Sequence, residues 1–203
     1  FLFGLNSRID DNVDTFNHFF KNVPAKIILA EAPMQKLTIF KDLHIRAWYN
    51  ITVDETYLSE DKKTMDISKD SILKYIKDNN IDTNQLILAG FSQGGALALY
   101  TGCMAPFKFK FVIGYCTYLP YNLLNNKPNK QNIILFNTKQ DQIFPFYTIC
   151  MLKRVFVALH FEIYHFVSDG IHRIYYDKLL YLIKCIENNS IFTYKLNEEI
   201  EMY

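Results

Sequence analysis

The sequence has few cysteines, and their spacing matches no metal-binding or redox motif. The four, Cys103, Cys116, Cys150 and Cys185, lie far apart and include no C-x-x-C pair. This spacing excludes a standard zinc knuckle and a dithiol redox motif. Three of the four lie in apolar segments, which predicts buried free thiols in a reducing compartment.

The chain also lacks a strong net charge and a long apolar run. With 22 Lys and Arg against 21 Asp and Glu, its formal net charge is +1, which provides no electrostatic basis for binding nucleic acid. No apolar run approaches the roughly 18 residues of a bilayer-spanning helix, and no signal peptide is recognisable. We therefore predict a cytoplasmic protein that binds no nucleic acid. The sequence does not indicate an oligomeric state.

Apolar strand-like segments alternate with helix-like segments along the 203 residues. The predicted strands are Lys26–Ala30, Gln85–Ala89, Phe109–Tyr115, Asn132–Phe136 and Phe161–Val167, and the predicted helices are Asp61–Asn79, Gln93–Met104, Tyr147–Leu159 and His172–Glu187. This alternation predicts an α/β fold with a mostly parallel central sheet and helices on both faces. The length suits one domain, which we place at residues 1–190. A polar tail follows at 191–203, for which both disorder and docking on the domain stay open.

Gly90-Phe91-Ser92-Gln93-Gly94 is the most informative segment. An apolar strand precedes this G-x-S-x-G pattern, and a helix of small apolar residues follows it. In that context the serine lies on a sharp strand-to-helix turn that exposes its hydroxyl above the strand ends. The flanking glycines avoid collisions with the neighbouring strand and helix. Ser92 is therefore the predicted nucleophile of an α/β-hydrolase fold.

A serine nucleophile needs a histidine base and an acid that orients the histidine. In α/β-hydrolases these residues follow in the order Ser, Asp or Glu, His. Asp141 follows the strand Asn132–Phe136, at the strand end where such an acid is expected, and Asp169 is the alternative. His172 lies in the last strand-to-helix loop and is the preferred base. His165, inside a predicted strand, stays open as the other candidate.

An oxyanion hole needs two backbone N–H groups directed at the developing negative charge. One is normally donated by the residue after the nucleophile, here Gln93. Leu5 is the predicted second donor, because residues 1–5 read as a strand end and its turn. In that turn Gly4 would permit the sharp bend. Both donors act through the backbone, so substitution of either side chain should change activity little.

These segments together resemble the acyl-protein thioesterase, or phospholipase/carboxylesterase, family of small α/β-hydrolases. The similar segments are F-L-F-G-L at 1–5, E-A-P at 31–33, R-A-W-Y-N-I at 46–51, G-F-S-Q-G-G-A-L-A-L-Y at 90–100, Y-L-P at 118–120, D-Q-I-F-P at 141–145 and G-I-H at 170–172. The resemblance implies that Ser92, Asp141 and His172 are the catalytic residues. It implies that the backbone N–H groups of Leu5 and Gln93 form the oxyanion hole.

The family resemblance also implies an activity. It implies a serine hydrolase that cleaves acyl thioesters or esters through an acyl-serine intermediate, with S-acylated proteins as the foremost substrates. It implies a minimal lid and no metal or organic cofactor, and it allows peripheral contact with membranes. Trp48 resembles a family tryptophan near the site and is a predicted substrate contact, with core packing as the alternative. A lysophospholipase or short-chain carboxylesterase, and a non-catalytic lipid-binding protein, stay open as alternative functions.

The chain departs from the family pattern at several positions. Phe3 stands where the family has a histidine beside the oxyanion loop, so we expect a hydrogen bond that supports this loop to be lost. Asn137 replaces a histidine, Gln142 a proline and Asn50 an aspartate. None of these changes removes a predicted catalytic residue, but together they predict a divergent branch of the family. Phe1 falls within an expected strand, so we also expect the family's preceding strand residues to be missing.

Overall fold

The structure is a computed structural model that describes residues 1–54, 57–124, 126 and 128–202. In chain order its helices and strands are α1 (Val13–Phe20), β1 (Met34–Leu37), β2 (Leu43–Arg46), β3 (Ile51–Asp54), β4 (Tyr57–Glu60), α2 (Lys62–Asp78), β5 (Ile87–Phe91), α3 (Gln93–Met104), β6 (Phe111–Tyr115), β7 (Ile133–Thr138), α4 (Phe146–Ala158), β8 (Ile163–Ser168), α5 (Tyr176–Glu187) and β9 (Glu199–Glu201). Short 3₁₀ turns occur at Thr38–Phe40, Tyr121–Leu123 and Ser190–Thr193. Among the described helices, none has the length and apolar character needed to cross a bilayer.

A parallel sheet in the order β5-β6-β7-β8-β9 forms the centre of the fold. Alternate side chains of β7 face different layers of the core. Ile133 and Leu135 pack in the layer that holds α2, α3 and α4, whereas Ile134 and Phe136 pack in the layer that holds α1 and α5. Because both faces are covered, the first four positions of β7 are all apolar. The predicted parallel sheet with helices on both faces is confirmed.

Most predicted elements are present, with ends within two residues of the predicted bounds. The prediction of a strand at Lys26–Ala30 is wrong. In this segment only Ala30 pairs with another chain segment, through an isolated bridge to Leu2. The partner of this segment is the short stretch Phe1–Phe3, which accepts one hydrogen bond from Ala30 and donates one to it. A ladder this short does not extend into a strand.

The closing helix begins at Tyr176 rather than at the predicted His172. The Arg173 carbonyl accepts a hydrogen bond from the Cys116 thiol at 3.5 Å instead of from a helical N–H. Tyr175 has an extended backbone with φ −98° and ψ 93°. The segment from His172 to Tyr175 is therefore a loop, which leaves the imidazole free to point away from the helix.

Helix α1 and two hairpins were not predicted. Strand β1 pairs antiparallel with β2, and β3 pairs antiparallel with β4. Their four-residue strands are too short for a clear alternation of polar and apolar residues. Helix α1 is also short, and it buries Phe16 and Phe20, four residues apart, in the layer of α5.

The polar tail docks on the domain. Ile191 is buried in the layer of α5, and β9 pairs parallel with β8. The Met202 N–H donates to the Val167 carbonyl at 2.7 Å. Of the two alternatives for the tail, docking is therefore confirmed, while its last residue, Tyr203, lies outside the described residues. The domain boundary at residue 190 stays a prediction.

Candidate active site

Ser92 lies on the turn between β5 and α3 in a strained backbone conformation. Its φ is 55° and its ψ is −123°, a region that costs a non-glycine residue about 1–3 kcal/mol. Hydrogen bonds hold it there: the Ser92 N–H donates to the Tyr115 carbonyl at 2.9 Å, and the Ser92 carbonyl accepts from the Thr117 hydroxyl at 2.7 Å. The turn therefore stores strain at the residue predicted to react.

Gly90 and Gly94 allow this turn to close tightly. A Cβ atom on Gly90 would lie 2.2 Å from the Gly94 carbonyl oxygen. A Cβ atom on Gly94 would lie 2.4 Å from the Phe3 carbonyl oxygen. Carbon and oxygen cannot approach so closely, so the two glycines of the G-x-S-x-G pattern are required by packing against backbone.

Gly4 has a different role from the one predicted. The residue with positive φ in this turn is Asn6, at 56°, and not Gly4. The prediction that Gly4 permits the bend through its conformational freedom is therefore wrong. A Cβ atom on Gly4 would instead lie 3.0 Å from the Phe91 ring and 3.1 Å from the Ser92 Cβ. Gly4 thus allows the segment of residues 1–5 to lie directly against the serine.

The strain at Ser92 gives a prediction about stability. We expect Ser92→Gly to raise the free energy of unfolding by about 1 kcal/mol, because the relief of strain exceeds the extra entropy that glycine loses on folding. Ser92→Ala keeps the Cβ atom and should leave stability near that of the wild type. Urea unfolding of both variants measures the difference. Equal stability of the glycine and alanine variants would contradict strain at this position.

A series of hydrogen bonds joins Ser92, His172 and Asp141. The His172 Nε2 atom lies 3.0 Å from Ser92 Oγ, and its Nδ1 atom lies 2.8 Å from Asp141 Oδ2. Because an ionised carboxylate only accepts hydrogen bonds, Nδ1 carries the proton and Nε2 offers its lone pair to the hydroxyl. In this arrangement an imidazole can take a proton from a serine.

Asp141 is fixed and ionised by its surroundings. Its Oδ1 atom accepts hydrogen bonds from the N–H groups of Ile143 and Phe144, both at 2.8 Å. Burial alone would raise the pKa of Asp141, but the hydrogen bonds from His172 and from these N–H groups outweigh burial. The pKa of Asp141 therefore lies below its usual value, so the side chain is negative when it meets the imidazole.

The alternative base and acid lie in other environments. His165 is fully buried in β8, with Nε2 3.2 Å from Asn137 Oδ1. Burial, with a contribution from Lys153, lowers the pKa of His165 to about 3, so this ring stays neutral. Asp169 is exposed and accepts a hydrogen bond from Gln140 at 3.3 Å. Among the described residues, neither alternative is hydrogen-bonded to the serine or histidine of the series above.

The two predicted oxyanion donors lie on segments that meet at the serine turn. The Phe91 N–H donates to the Leu2 carbonyl at 3.0 Å, which holds residues 1–5 beside β5. Gln93 is the first residue of α3, where an N–H has no acceptor within the helix. In the described part of the chain, neither the Gln93 N–H nor the Leu5 N–H donates a hydrogen bond. Their role toward an oxyanion stays a prediction.

Trp48 holds this segment in place. Its indole N–H donates to the Phe3 carbonyl at 2.7 Å, and its backbone N–H donates to Gln93 Oε1 at 2.8 Å. The Gln93 amide also donates to the Tyr49 carbonyl at 2.8 Å. Trp48 is only 6% exposed, so these contacts support the alternative of core packing. The Phe3 side chain cannot form a hydrogen bond, and the indole instead holds the segment of residues 1–5 through the Phe3 carbonyl. Contact between Trp48 and substrate stays a prediction.

The indole hydrogen bond gives a prediction about rate. We expect Trp48→Phe to lower kcat by roughly tenfold with little change in KM. Without the indole hydrogen bond the Phe3 carbonyl is held less firmly, which would displace the nearby Leu5 N–H, a predicted donor that acts only in the transition state. Steady-state kinetics with thermal unfolding as a control measures the effect. A rise in KM at unchanged kcat would instead assign Trp48 to substrate binding.

Sequence reasoning missed Thr117 and the structural role of Asn137. The Thr117 hydroxyl bonds the Ser92 carbonyl, and the Thr117 carbonyl accepts from Asn137 Nδ2 at 2.9 Å. Asn137 is 1% exposed and also contacts the buried His165 ring. This residue, which departs from the family pattern, therefore retains hydrogen bonds that support the serine turn. Its partners are distant in sequence, so no local pattern could have identified them.

Cys116 does not offer a second nucleophile. All four are free, and Cys103, Cys116 and Cys185 are buried, which confirms the predicted thiols. Burial raises the pKa of Cys116, the thiol beside Arg173, to about 12, so it stays protonated. In the part of the chain that the structure describes, no three His, Cys, Asp or Glu side chains form a group that could hold a metal ion.

Half-buried aromatic rings flank the His172 imidazole. Ring centroids of Phe91 and Phe144 lie 4.9 Å and 5.4 Å from the centroid of His172. The Tyr118 ring lies 5.1 Å from Phe144, and its hydroxyl is 2.9 Å from the Tyr49 hydroxyl. Rings in these positions make the surroundings of the His172 imidazole apolar, which suits an apolar substrate group.

Comparison with known proteins identifies the family. The sequence profile of the phospholipase/carboxylesterase family matches residues 1–190. The chain belongs to this family. Acyl-protein thioesterase 1 of Yarrowia lipolytica is 28% identical over 130 residues, which are 60% of this chain and 57% of that protein. Acyl-protein thioesterase 1 homolog 2 of Dictyostelium discoideum is 32% identical over 126 residues, which are 58% of this chain and 56% of that protein. The chain thus spans little more than half the length of these relatives.

Solved structures share the fold of this phospholipase/carboxylesterase family member. SOBER1 of Arabidopsis thaliana superposes with a TM-score of 0.77 at 17% identity, over 93% of this chain and 96% of that chain. Zea mays acyl-protein thioesterase 2 superposes with a TM-score of 0.75 at 18% identity, over 93% of this chain and 91% of that chain. At these identities the likeness concerns the fold, and it confirms the predicted α/β-hydrolase fold.

Proposed function

We propose that this member of the phospholipase/carboxylesterase family is a serine hydrolase that cleaves acyl thioesters, with S-acylated proteins as its substrates. The observation that carries the proposal is the hydrogen-bonded series Asp141–His172–Ser92 on a strained strand-to-helix turn. The relatives named acyl-protein thioesterases support the choice of a thioester. The free thiols support a reducing compartment, and we place the protein in the cytoplasm.

In the proposed reaction Ser92 Oγ attacks the acyl carbonyl carbon while His172 Nε2 accepts the hydroxyl proton. The N–H groups of Leu5 and Gln93 stabilise the charge on the carbonyl oxygen. His172 gives its proton to the sulfur as the C–S bond breaks. It then takes a proton from the water that attacks the acyl-serine ester, and returns it to Ser92 Oγ. Asp141 accepts a hydrogen bond from Nδ1 throughout, so the Nδ1 proton stays on the imidazole. These steps need no metal or organic cofactor.

The rings near the candidate catalytic residues favour substrates whose acyl group has a long alkyl chain. The rings of Phe91 and Phe144 supply apolar surface beside the His172 imidazole, and the Tyr118 ring extends this surface from Phe144. An alkyl chain gains from burial against such rings in proportion to the apolar area that it removes from water. We therefore propose that turnover increases with the length of the acyl chain.

A series of substrates tests this function. Acyl thioesters of increasing chain length, and the oxygen ester of each acyl group, are compared as substrates of the folded wild type. The proposal predicts turnover that rises with chain length and exceeds that of the matching ester. A maximum at short esters would indicate a general carboxylesterase, and a preference for lysophospholipid would indicate a lysophospholipase. Binding of long acyl chains without any turnover would indicate a lipid-binding protein.

A further inference from the structure

The last residue of β6 and the two residues after it contact Ser92 from outside its turn. The Tyr115 carbonyl accepts a hydrogen bond from the Ser92 N–H at 2.9 Å, and the Thr117 hydroxyl donates to the Ser92 carbonyl at 2.7 Å. Tyr115 and Thr117 are both fully buried. Both backbone polar groups of the predicted nucleophile are therefore held by one short segment, which we call the β6 end: Tyr115, Cys116 and Thr117.

The β6 end also holds the loop that carries the predicted base. The Tyr115 hydroxyl donates a hydrogen bond to the Tyr175 carbonyl at 3.0 Å, and the Cys116 thiol donates to the Arg173 carbonyl at 3.5 Å. Both carbonyls belong to the loop from His172 to Tyr175, which directly precedes α5. Three consecutive residues thus join the turn of the nucleophile to the loop of the base.

Cys116, the middle residue of the β6 end, has a strained backbone. Its φ is 43°, in the left-handed region that is unfavourable for a residue with a Cβ atom. Its N–H donates to the Phe136 carbonyl at 2.7 Å, beyond the last residue of β6. Strain of this kind persists only where the surrounding contacts enforce it, and it occurs preferentially at functional sites.

The side chain of Thr117 occupies a space that two glycines leave open. A Cβ atom on Gly95 would lie 2.9 Å from Thr117 Cγ2, and a Cβ atom on Gly114 would lie 2.8 Å from the same methyl carbon. The Thr117 carbonyl accepts a hydrogen bond from Asn137 Nδ2 at 2.9 Å. Side chain and backbone are both fixed, so the Thr117 hydroxyl has a defined place beneath the serine turn.

We propose that the β6 end positions Ser92 and His172 relative to each other for proton transfer, with Thr117 and Tyr115 as the positioning residues. The distance between Ser92 Oγ and His172 Nε2 is 3.0 Å, within the range that proton transfer requires. Displacement of reacting groups by about 1 Å can slow a reaction by roughly a hundredfold. The inference rests on the proposed function, because it concerns the reactivity of Ser92.

Substitution of Thr117 tests this positioning on the side of the nucleophile. Thr117→Val puts a methyl group where the hydroxyl is, and a methyl carbon cannot lie 2.7 Å from the Ser92 carbonyl oxygen. The serine turn must then shift, so we expect the maximal rate of Ser92 labelling by a saturating fluorophosphonate to fall about tenfold or more. Thr117→Ser keeps the hydroxyl and should stay within about threefold of the wild type.

Thr101→Val is the matched control. Thr101 is fully buried in α3, and its hydroxyl has no hydrogen-bond partner among the described residues. The same chemical change should therefore leave the labelling rate within about twofold of the wild type. Urea unfolding of each variant confirms that the labelled protein is folded, which separates a slower reaction from a loss of stability.

Tyr115→Phe tests the side of the base. It removes the hydroxyl from the Tyr175 carbonyl but keeps the ring, which stacks on Phe136 with centroids 4.3 Å apart. We expect labelling to slow by about fivefold. In the double variant with Thr117→Val the loss should be smaller than the product of the two single losses, because both act on one geometry. Losses that multiply would contradict a shared role.

The labelling rate does not depend on which acyl compound is the substrate, so it separates this positioning from the proposed function. Wild-type labelling rates in folded Thr117→Val and Tyr115→Phe, or equal losses in Thr117→Val and Thr117→Ser, would overturn positioning and leave the proposed function intact. The expected losses, in a chain whose wild type is labelled but cleaves no acyl thioester, would support positioning and refute the thioesterase. A folded wild type without labelling would overturn both. Tyr115→Phe decides alone if Thr117→Val does not fold.

Discussion

Ser92→Ala is expected to lower kcat/KM for acyl thioesters by a factor on the order of 10⁴ or more. The substitution removes the only oxygen to which His172 Nε2 is hydrogen-bonded in the described structure. The fold should be unaffected, because the backbone hydrogen bonds of residue 92 to Tyr115 and Thr117 do not involve its side chain. Steady-state kinetics measures the loss, and circular dichroism confirms folding.

Ser71→Ala is the matched control for this substitution. The Ser71 hydroxyl donates to the Ile67 carbonyl within α2 and to no other described residue, so its removal should leave the rate near that of the wild type. If folded Ser92→Ala retained even a tenth of the wild-type rate, a different nucleophile would be required. Cys116 would be a poor replacement, since burial raises the pKa of its thiol to about 12.

Asp141→Asn is expected to lower kcat by roughly 10³ to 10⁴, by analogy with serine proteases in which this change has been interpreted as producing the wrong tautomer. The amide can keep the hydrogen bonds that Asp141 Oδ1 accepts from Ile143 and Phe144. Its NH₂ group would donate to His172 Nδ1, which places the imidazole proton on Nε2. The ring then donates toward Ser92 and cannot take its proton. The loss should appear in kcat with little change in KM.

Asp169→Asn tests the alternative acid under the same conditions. Asp169 is exposed and bonded to Gln140, so its substitution should change kcat less than about threefold. A larger loss in Asp169→Asn than in Asp141→Asn would reverse the assignment of the acid. Comparison of the two variants is informative because each removes a single negative charge.

The local sequence predicts the turn that carries Ser92, but it does not predict the residues that hold this turn in place. The strand, turn and helix around Ser92 are adjacent in the chain, so their apolar pattern and glycines predict helix α3 with its bounds. Trp48 supports the same turn through the carbonyl of Phe3, 45 residues away. Such a bond depends on how distant segments pack, and a single sequence has no pattern for it.

The choice between His172 and His165 shows the same limit. The sequence places one histidine in a loop and the other in a strand, which favours the loop but leaves both open. The structure separates them because His165 is fully buried beside Asn137, whereas the His172 side chain is 14% exposed and reaches Ser92. Strand β9 was missed for a related reason, since Glu199 and Glu201 make it polar and its pairing with β8 is long-range.

The central claim is that Ser92 is a nucleophile activated by His172. A fluorophosphonate probe, followed by digestion and mass spectrometry, tests this claim most directly. The account predicts one adduct, on the peptide that contains Ser92, and labelling at least about a hundredfold slower in His172→Ala. Labelling of another residue that persists in Ser92→Ala, or no labelling of the folded wild type, would contradict it.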